Sequence, residues 1–104
     1  MSYNCDDFVH DIKDCLKLAE NELHDRKNGK QGESTIDQLE NYIMPDLANL
    51  LEKIINKESL PPNTQQDRYL ASFGYAFRVW DWDMAVPSEL YLKLLKIHEN
   101  YRKI

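Results

Sequence analysis

Apolar residues recur along this chain at three- and four-residue steps, the spacing that places them on one face of an α-helix. Phe8, Ile12, Cys15 or Leu16, Ala19 and Leu23 mark a first helix over about residues 6–27. Ile36, Leu39, Ile43, Leu47, Leu50 or Leu51, and Ile54 mark a second, over about 34–56. Tyr69, Leu70, Phe73, Ala76 or Phe77, and Trp80 give a third, over about 65–80. Leu90 or Tyr91, Leu94 or Leu95, His98 and Tyr101 give the last, over about 88–103.

The ends of these stretches carry matching signals. Asp6 or Asp7 can cap the first helix, and Asn28-Gly29 tolerates the left-handed backbone that stops one. Ser34 with Asp37, and Thr64 with Asp67, are loose capping boxes for the second and third. Pro87-Ser88-Glu89 opens the fourth, where proline costs no hydrogen bond. Pro45 lies inside the second pattern; because the apolar stripe stays in phase across it, a kink is expected near Tyr42–Met44. Gly74 sits mid-helix at a cost of about 1 kcal/mol against alanine. Close approach of another backbone to the Ala71/Gly74 surface would offset it. The segment Phe73–Trp80 is also rich in strand-favouring residues, but it lacks clean alternation, so helix is preferred. The expected fold is all-α: one domain over residues 1–104, an antiparallel four-helix bundle with helix two kinked at Pro45.

Charge narrows the partners. The net charge is −5, and it lies in residues 1–59, where thirteen acids face seven bases. Nucleic-acid binding needs clustered Lys and Arg, so it is not expected. No apolar run reaches the roughly 20 residues that span a bilayer, and the first residues lack a signal-peptide pattern. Cys5 and Cys15 would stand about 15 Å apart on one helix, too far for a disulfide. Two free thiols then indicate a reducing, cytoplasmic setting.

Candidate chemistry is sparse. Asp6, His10 and Asp14, with Asp7 and Asp11 nearby, could in principle hold a metal ion. They fall on the polar side of helix one, opposite Phe8 and Ile12, so a solvated face is the preferred reading and neither metal nor cofactor is expected. Glu22-x-x-Asp25 and Asp37-x-x-Glu40 could meet across the first hairpin. That arrangement resembles the paired acidic motifs of the all-helical nucleotide pyrophosphohydrolases. The resemblance implies magnesium held over a phosphate chain, although the basic residues a phosphate needs are few. His24-Asp25 is similar to the doublet of metal-dependent phosphohydrolases without its other histidines. Cys5 and Cys15 lie among aspartates, which disfavours a reactive thiolate.

The stretch Tyr69–Met84 concentrates both tryptophans, and it ends in Asp81-Trp82-Asp83. Trp80 is needed by the helical stripe, whereas Trp82 has no place assigned by periodicity. Two readings follow. Either Trp82 folds back over the bundle end, with Asp81 or Asp83 paired to Arg78, or these residues form an interface of the aromatic-plus-charge kind. Arg78, Asp81, Trp82 and Asp83 are the candidate partner-binding residues. The preferred function is a non-catalytic domain binding a basic protein partner, similar in size, charge and fold class to immunity proteins that occlude bacterial toxins. The alternatives are the pyrophosphohydrolase-like enzyme and a structural homodimer sealing Val79, Met84 and Val86.

Overall fold

The computed structural model describes residues 4–56, 71–83 and 85–101. Among these residues the fold is all-α, with no strand. Helix α1 spans Cys5–Lys27. Its cap is Asn4, whose side chain accepts the Asp7 N–H (3.0 Å) while the Asp7 carboxylate accepts the Asn4 N–H (3.2 Å). Asp7 therefore sits three residues inside the helix and completes the box, where the sequence suggested it as the cap. The helix stops at Asn28, and Gly29 follows with φ 86°. The Asn28-Gly29 signal acts as read.

The second helical stretch is built from three pieces. A short α2 (Ile36–Gln38) opens on Thr35, and the Thr35 and Gln38 side chains cap each other's backbone N–H at 3.1 Å. The capping box is thus Thr35/Gln38, one residue later than the expected Ser34/Asp37. A π-helical segment follows over Leu39–Ile43, and α3 runs over Met44–Ile55 with Pro45 in its first turn. The Met44 N–H reaches back five residues to the Leu39 carbonyl. Pro45 has no N–H to give to the Asn41 carbonyl, and its ring needs room there. The wider turn just before it supplies that room. Leu39, Ile43, Leu47 and Leu50 are buried along this line. Ile36, expected in the same stripe, is exposed instead.

The third stretch is described from Ala71 onward: α4 (Ala71–Gly74), then a second π segment over Tyr75–Val79. Residues 65–70 of the expected helix, with the Thr64/Asp67 box, lie outside the described residues. Ser72, Phe73, Gly74 and Ala76 are buried here, and Ala71 is exposed. The Asp46 carboxylate of α3 accepts the Ser72 N–H at 3.0 Å, tying the two stretches together. Helix α5 (Glu89–Asn100) opens on Ser88, whose hydroxyl accepts the Tyr91 N–H at 3.1 Å.

Helix α1 packs against both α3 and α5, and α4 packs against α3 and α5. The core between them contains Phe8, Ile12, Cys15, Ala19, Leu90, Leu94 and Ile97, all inaccessible to solvent. Phe8 stacks on Tyr101 with ring centroids 5.5 Å apart. His98 is half-buried against Phe73 at 4.8 Å, a boundary position on the stripe where it was expected.

One expectation for α1 fails. Its acids do not all lie on a solvated face, because Asp11 is buried with Ile12. Lys93 of α5 reaches it at 3.1 Å, with the two side chains only 9% and 17% exposed, and Lys96 stands at 3.7 Å. An Asp on the core side of a helix is tolerated when a cation from the facing helix neutralises it. Cys15 lies one turn further on. Burial, the largest effect, pushes its thiol from 9.0 up to about 12; Lys93 opposes the shift, and Glu22, Asp11 and Asp14 add to it. Cys5 is exposed and also free.

Removing Lys93 takes the nearer cation from the buried Asp11 and leaves the more exposed Lys96 at 3.7 Å, so Lys93→Met is expected to cost about 2–3 kcal/mol. The double variant Asp11→Leu/Lys93→Met should recover most of that loss. Urea unfolding of the three proteins measures both effects, and a single-variant loss under about 0.5 kcal/mol would mark the pair as an ordinary surface contact. Cys15 adds a pH dependence. The folded thiol keeps its proton above pH 9 while the unfolded one loses it, so stability declines as pH rises from about 9 towards 12. Cys15→Ala should lower stability overall yet flatten that decline in urea midpoints taken from pH 8 to 10.

Candidate functional site

The second π segment closes in a way that shapes its surroundings. The Trp80 N–H donates to the Tyr75 carbonyl at 2.7 Å, and the Trp82 N–H donates to the Ala76 carbonyl at 2.9 Å. The first is the closing bond of the π segment; the second resembles the outer bond of a Schellman closure widened by one residue. Asp81 occupies the left-handed position of the closure, with φ 54°. Aspartate is among the few non-glycine residues that enter this region with any frequency.

The reversal at Asp81 swings Trp82 inward. Its indole is only 5% exposed. It packs against Trp80 (5.5 Å) and meets the Tyr91 ring edge-on at 5.5 Å. Trp82 thus folds back over the end of the helices, the first of the two readings open from the sequence. Arg78 takes no part in holding it: among the described residues Arg78 has no ion pair with Asp81 or Asp83. The loop is held in other ways. One Asp83 carboxylate oxygen accepts the Ala85 N–H (2.8 Å) and the Val86 N–H (3.4 Å). The Asp83 N–H donates to the Glu33 carboxylate, 50 residues away in sequence.

An open crevice of about 460 Å³ results, lined by Phe77, Asp81, Trp82 and Asp83. Three of the four candidate residues, Asp81, Trp82 and Asp83, therefore share one concavity. Arg78 lines a separate, shallower dent of about 280 Å³ with Ala71, Gly74, Tyr75 and Val79. Phe77 was the residue missed. The alternation of Ala76 or Phe77 in the stripe left it undecided; Ala76 is buried, whereas Phe77 is 50% exposed and rests on Phe73 at 6.0 Å. Glu33 had no sequence signal at all, since its role is a contact between distant loops.

Polar groups beneath the loop are poorly satisfied. The Trp82 Nε1–H and the Tyr91 hydroxyl are buried with no hydrogen-bond partner among the described residues, as is the Ser72 hydroxyl. Burial, reinforced by the nearby carboxylates of Glu33 and Asp81, raises the Tyr91 pKa above its usual value of 10.0. The phenol therefore stays protonated under an acidic rim.

The other acidic motifs are each engaged locally. Glu22 accepts the Ser34 hydroxyl at 2.6 Å and pairs with Arg26 at 3.4 Å. Arg26 also donates its Nε–H to the Ser34 carbonyl at 2.7 Å. Gly32 passes so close to this guanidinium that a Cβ there would fall 1.8 Å from Arg26 Nη2. Asp25 pairs with Lys30, Glu40 with Lys27, and Asp37 accepts from Asn41. His24 contacts Asn28, and His10 contacts Asp14. Among the described residues no group of three or more His, Cys, Asp or Glu side chains is placed to hold a metal ion. No described helix is long and apolar enough to cross a membrane. A larger and more apolar groove of about 630 Å³ runs between α1 and the Pro45 region, lined by Leu16, Leu23, Met44, Pro45 and Ala48 with Glu20 and Glu40.

Tyr91→Phe removes an unsatisfied hydroxyl and keeps the ring contacts. It should leave stability unchanged or raise it by about 1 kcal/mol, because a buried group without a partner costs about 1–3 kcal/mol. A fall in melting temperature would show that the hydroxyl has a partner in solution.

No protein-family model matches this chain, and no curated protein or solved structure matches it either.

Proposed function

We propose that this chain is a non-catalytic domain that binds a protein with a basic surface, in the manner of an immunity-type inhibitor. Its setting would be the cytoplasm, and its scaffold an antiparallel four-helix bundle bent at Pro45. The observation that carries this reading is the crevice of Phe77, Asp81, Trp82 and Asp83, which sets two exposed carboxylates beside an exposed aromatic ring. Aromatic groups give an interface its anchoring area, and fixed charges give it register and a fast encounter. The excess of acids over the first 59 residues adds long-range attraction for a basic partner.

A homodimer is the second reading, favoured by one observation. Val79 and Val86 are exposed, as are Tyr75 and Phe77. Met84, the third residue expected in such a seal, lies outside the described residues. The enzyme reading has no comparable support, because Glu22, Asp25, Asp37 and Glu40 each spend their charge on a different neighbour.

The test is co-expression with the products of adjacent reading frames, followed by titration of any complex at two salt concentrations. Asp81→Asn/Asp83→Asn keeps the turn chemistry, since asparagine tolerates the left-handed position and can cap the Ala85 N–H. It should weaken a complex at least tenfold, about 1.4 kcal/mol, and reduce its salt dependence. Unchanged affinity would place the interface elsewhere. Concentration-dependent association of the isolated chain in light scattering would favour the dimer.

A further inference from the structure

We infer that Asp81–Asp83 is a latched flap: it opens while the rest of the fold stays closed, lifting Trp82 off Tyr91, and the Glu33 carboxylate is its latch. The inference goes beyond the protein-binding reading, since it concerns the isolated chain and needs no partner.

Three observations set the flap apart from the core beside it. Its buried face is poorly matched. Trp82 is only 5% exposed and Tyr91 is inaccessible, yet the indole Nε1–H and the phenol hydroxyl have no hydrogen-bond partner among the described residues. The two rings meet edge-on at 5.5 Å, and the carboxylates of Glu33 and Asp81 both act on the phenol, which places its hydroxyl under this loop. Lifting the indole lets water reach both groups and returns part of the free energy lost in burying them. The hinge is strained as well. Asp81 sits at φ 54°, where any residue with a Cβ is less stable than in the right-handed regions it regains on release.

The third observation is how few ties hold the loop. The Trp82 N–H bonds the Ala76 carbonyl at its base. The Asp83 carboxylate bonds only Ala85 and Val86, two and three positions on, which can travel with it. Among the described residues, the one hydrogen bond that reaches the loop from a distant part of the chain is that of the Asp83 N–H to Glu33. Glu33 itself is firmly placed, because its neighbour Ser34 is buried and held by Arg26 and Glu22. The moving side is therefore the flap. Burial of the indole keeps the closed form dominant. Opening still costs less than global unfolding, because Phe8, Ile12, Leu94 and Ile97 stay packed.

Hydrogen exchange of the ¹⁵N-labelled full chain, followed from no urea to just below its unfolding transition, tests the flap. The Trp82 indole and backbone N–H should report one opening constant, at least about tenfold larger than that of the slowest α1 and α5 amides. It should barely change with urea, because little surface is exposed. Glu33→Ala should raise it about fivefold or more, as loss of the latch favours the open form. Phe8→Leu weakens the core where Phe8 stacks on Tyr101, about 15 Å along α5 from Tyr91. It should speed the slowest amides and leave the Trp82 constant within about twofold. The inference is overturned if the Trp82 protons exchange with the slowest amides and share their urea slope, or respond equally to Phe8→Leu. An indole that exchanges without its backbone N–H overturns it too, as does a Trp82 constant unmoved by Glu33→Ala.

Discussion

A chain that leaves a helix must place its next side chains somewhere, and here the left-handed turn at Asp81 decides where. The Trp82 N–H returns to the Ala76 carbonyl, so the peptide after Asp81 reverses and the indole enters the core edge-on to Tyr91. With that ring inside, its two acidic neighbours are directed outward. The crevice is therefore a by-product of burying a tryptophan. Its two charges flank the ring because they flank it in sequence.

The two π segments arise from different needs. The one over Leu39–Ile43 makes room for Pro45, whose ring would otherwise collide with the preceding turn. The one over Tyr75–Val79 contains no proline. Its extra residue rotates the end of the stretch, so that Ala76 faces inward while Phe77 and Val79 face outward. Single-turn π segments occur often beside functional sites, and this one borders the crevice.

The helices were legible because three- and four-residue periodicity reflects which side faces the core. Phe8, Ile12, Leu39, Ile43, Leu47 and Leu94 follow it closely. Pro45 was visible as a disturbance, but how the backbone absorbs it depends on hydrogen bonds that composition does not encode. Asp11 was misplaced because an ionisable residue on the core side reads as polar until its partner, Lys93, is brought to it from 82 positions away. The site was half legible. Asp81, Trp82 and Asp83 stood out by type, while Phe77 depended on the rotation within the π segment and Glu33 on a contact between loops.

The loop between α1 and α2 has a consequence for how the molecule could change over evolution. Arg26 holds it at Ser34, Gly32 passes against the same guanidinium, and Glu33 between them grips the Asp83 backbone. Surface loops commonly accept insertions, since lengthening them costs little entropy. Here the anchor at Ser34 and the grip at Glu33 are adjacent in the chain. An added residue near Gly32 would have to bulge outward or carry Glu33 away from the Asp83 N–H. Chain length in the first hairpin is therefore coupled to the shape of a surface made by residues fifty positions downstream.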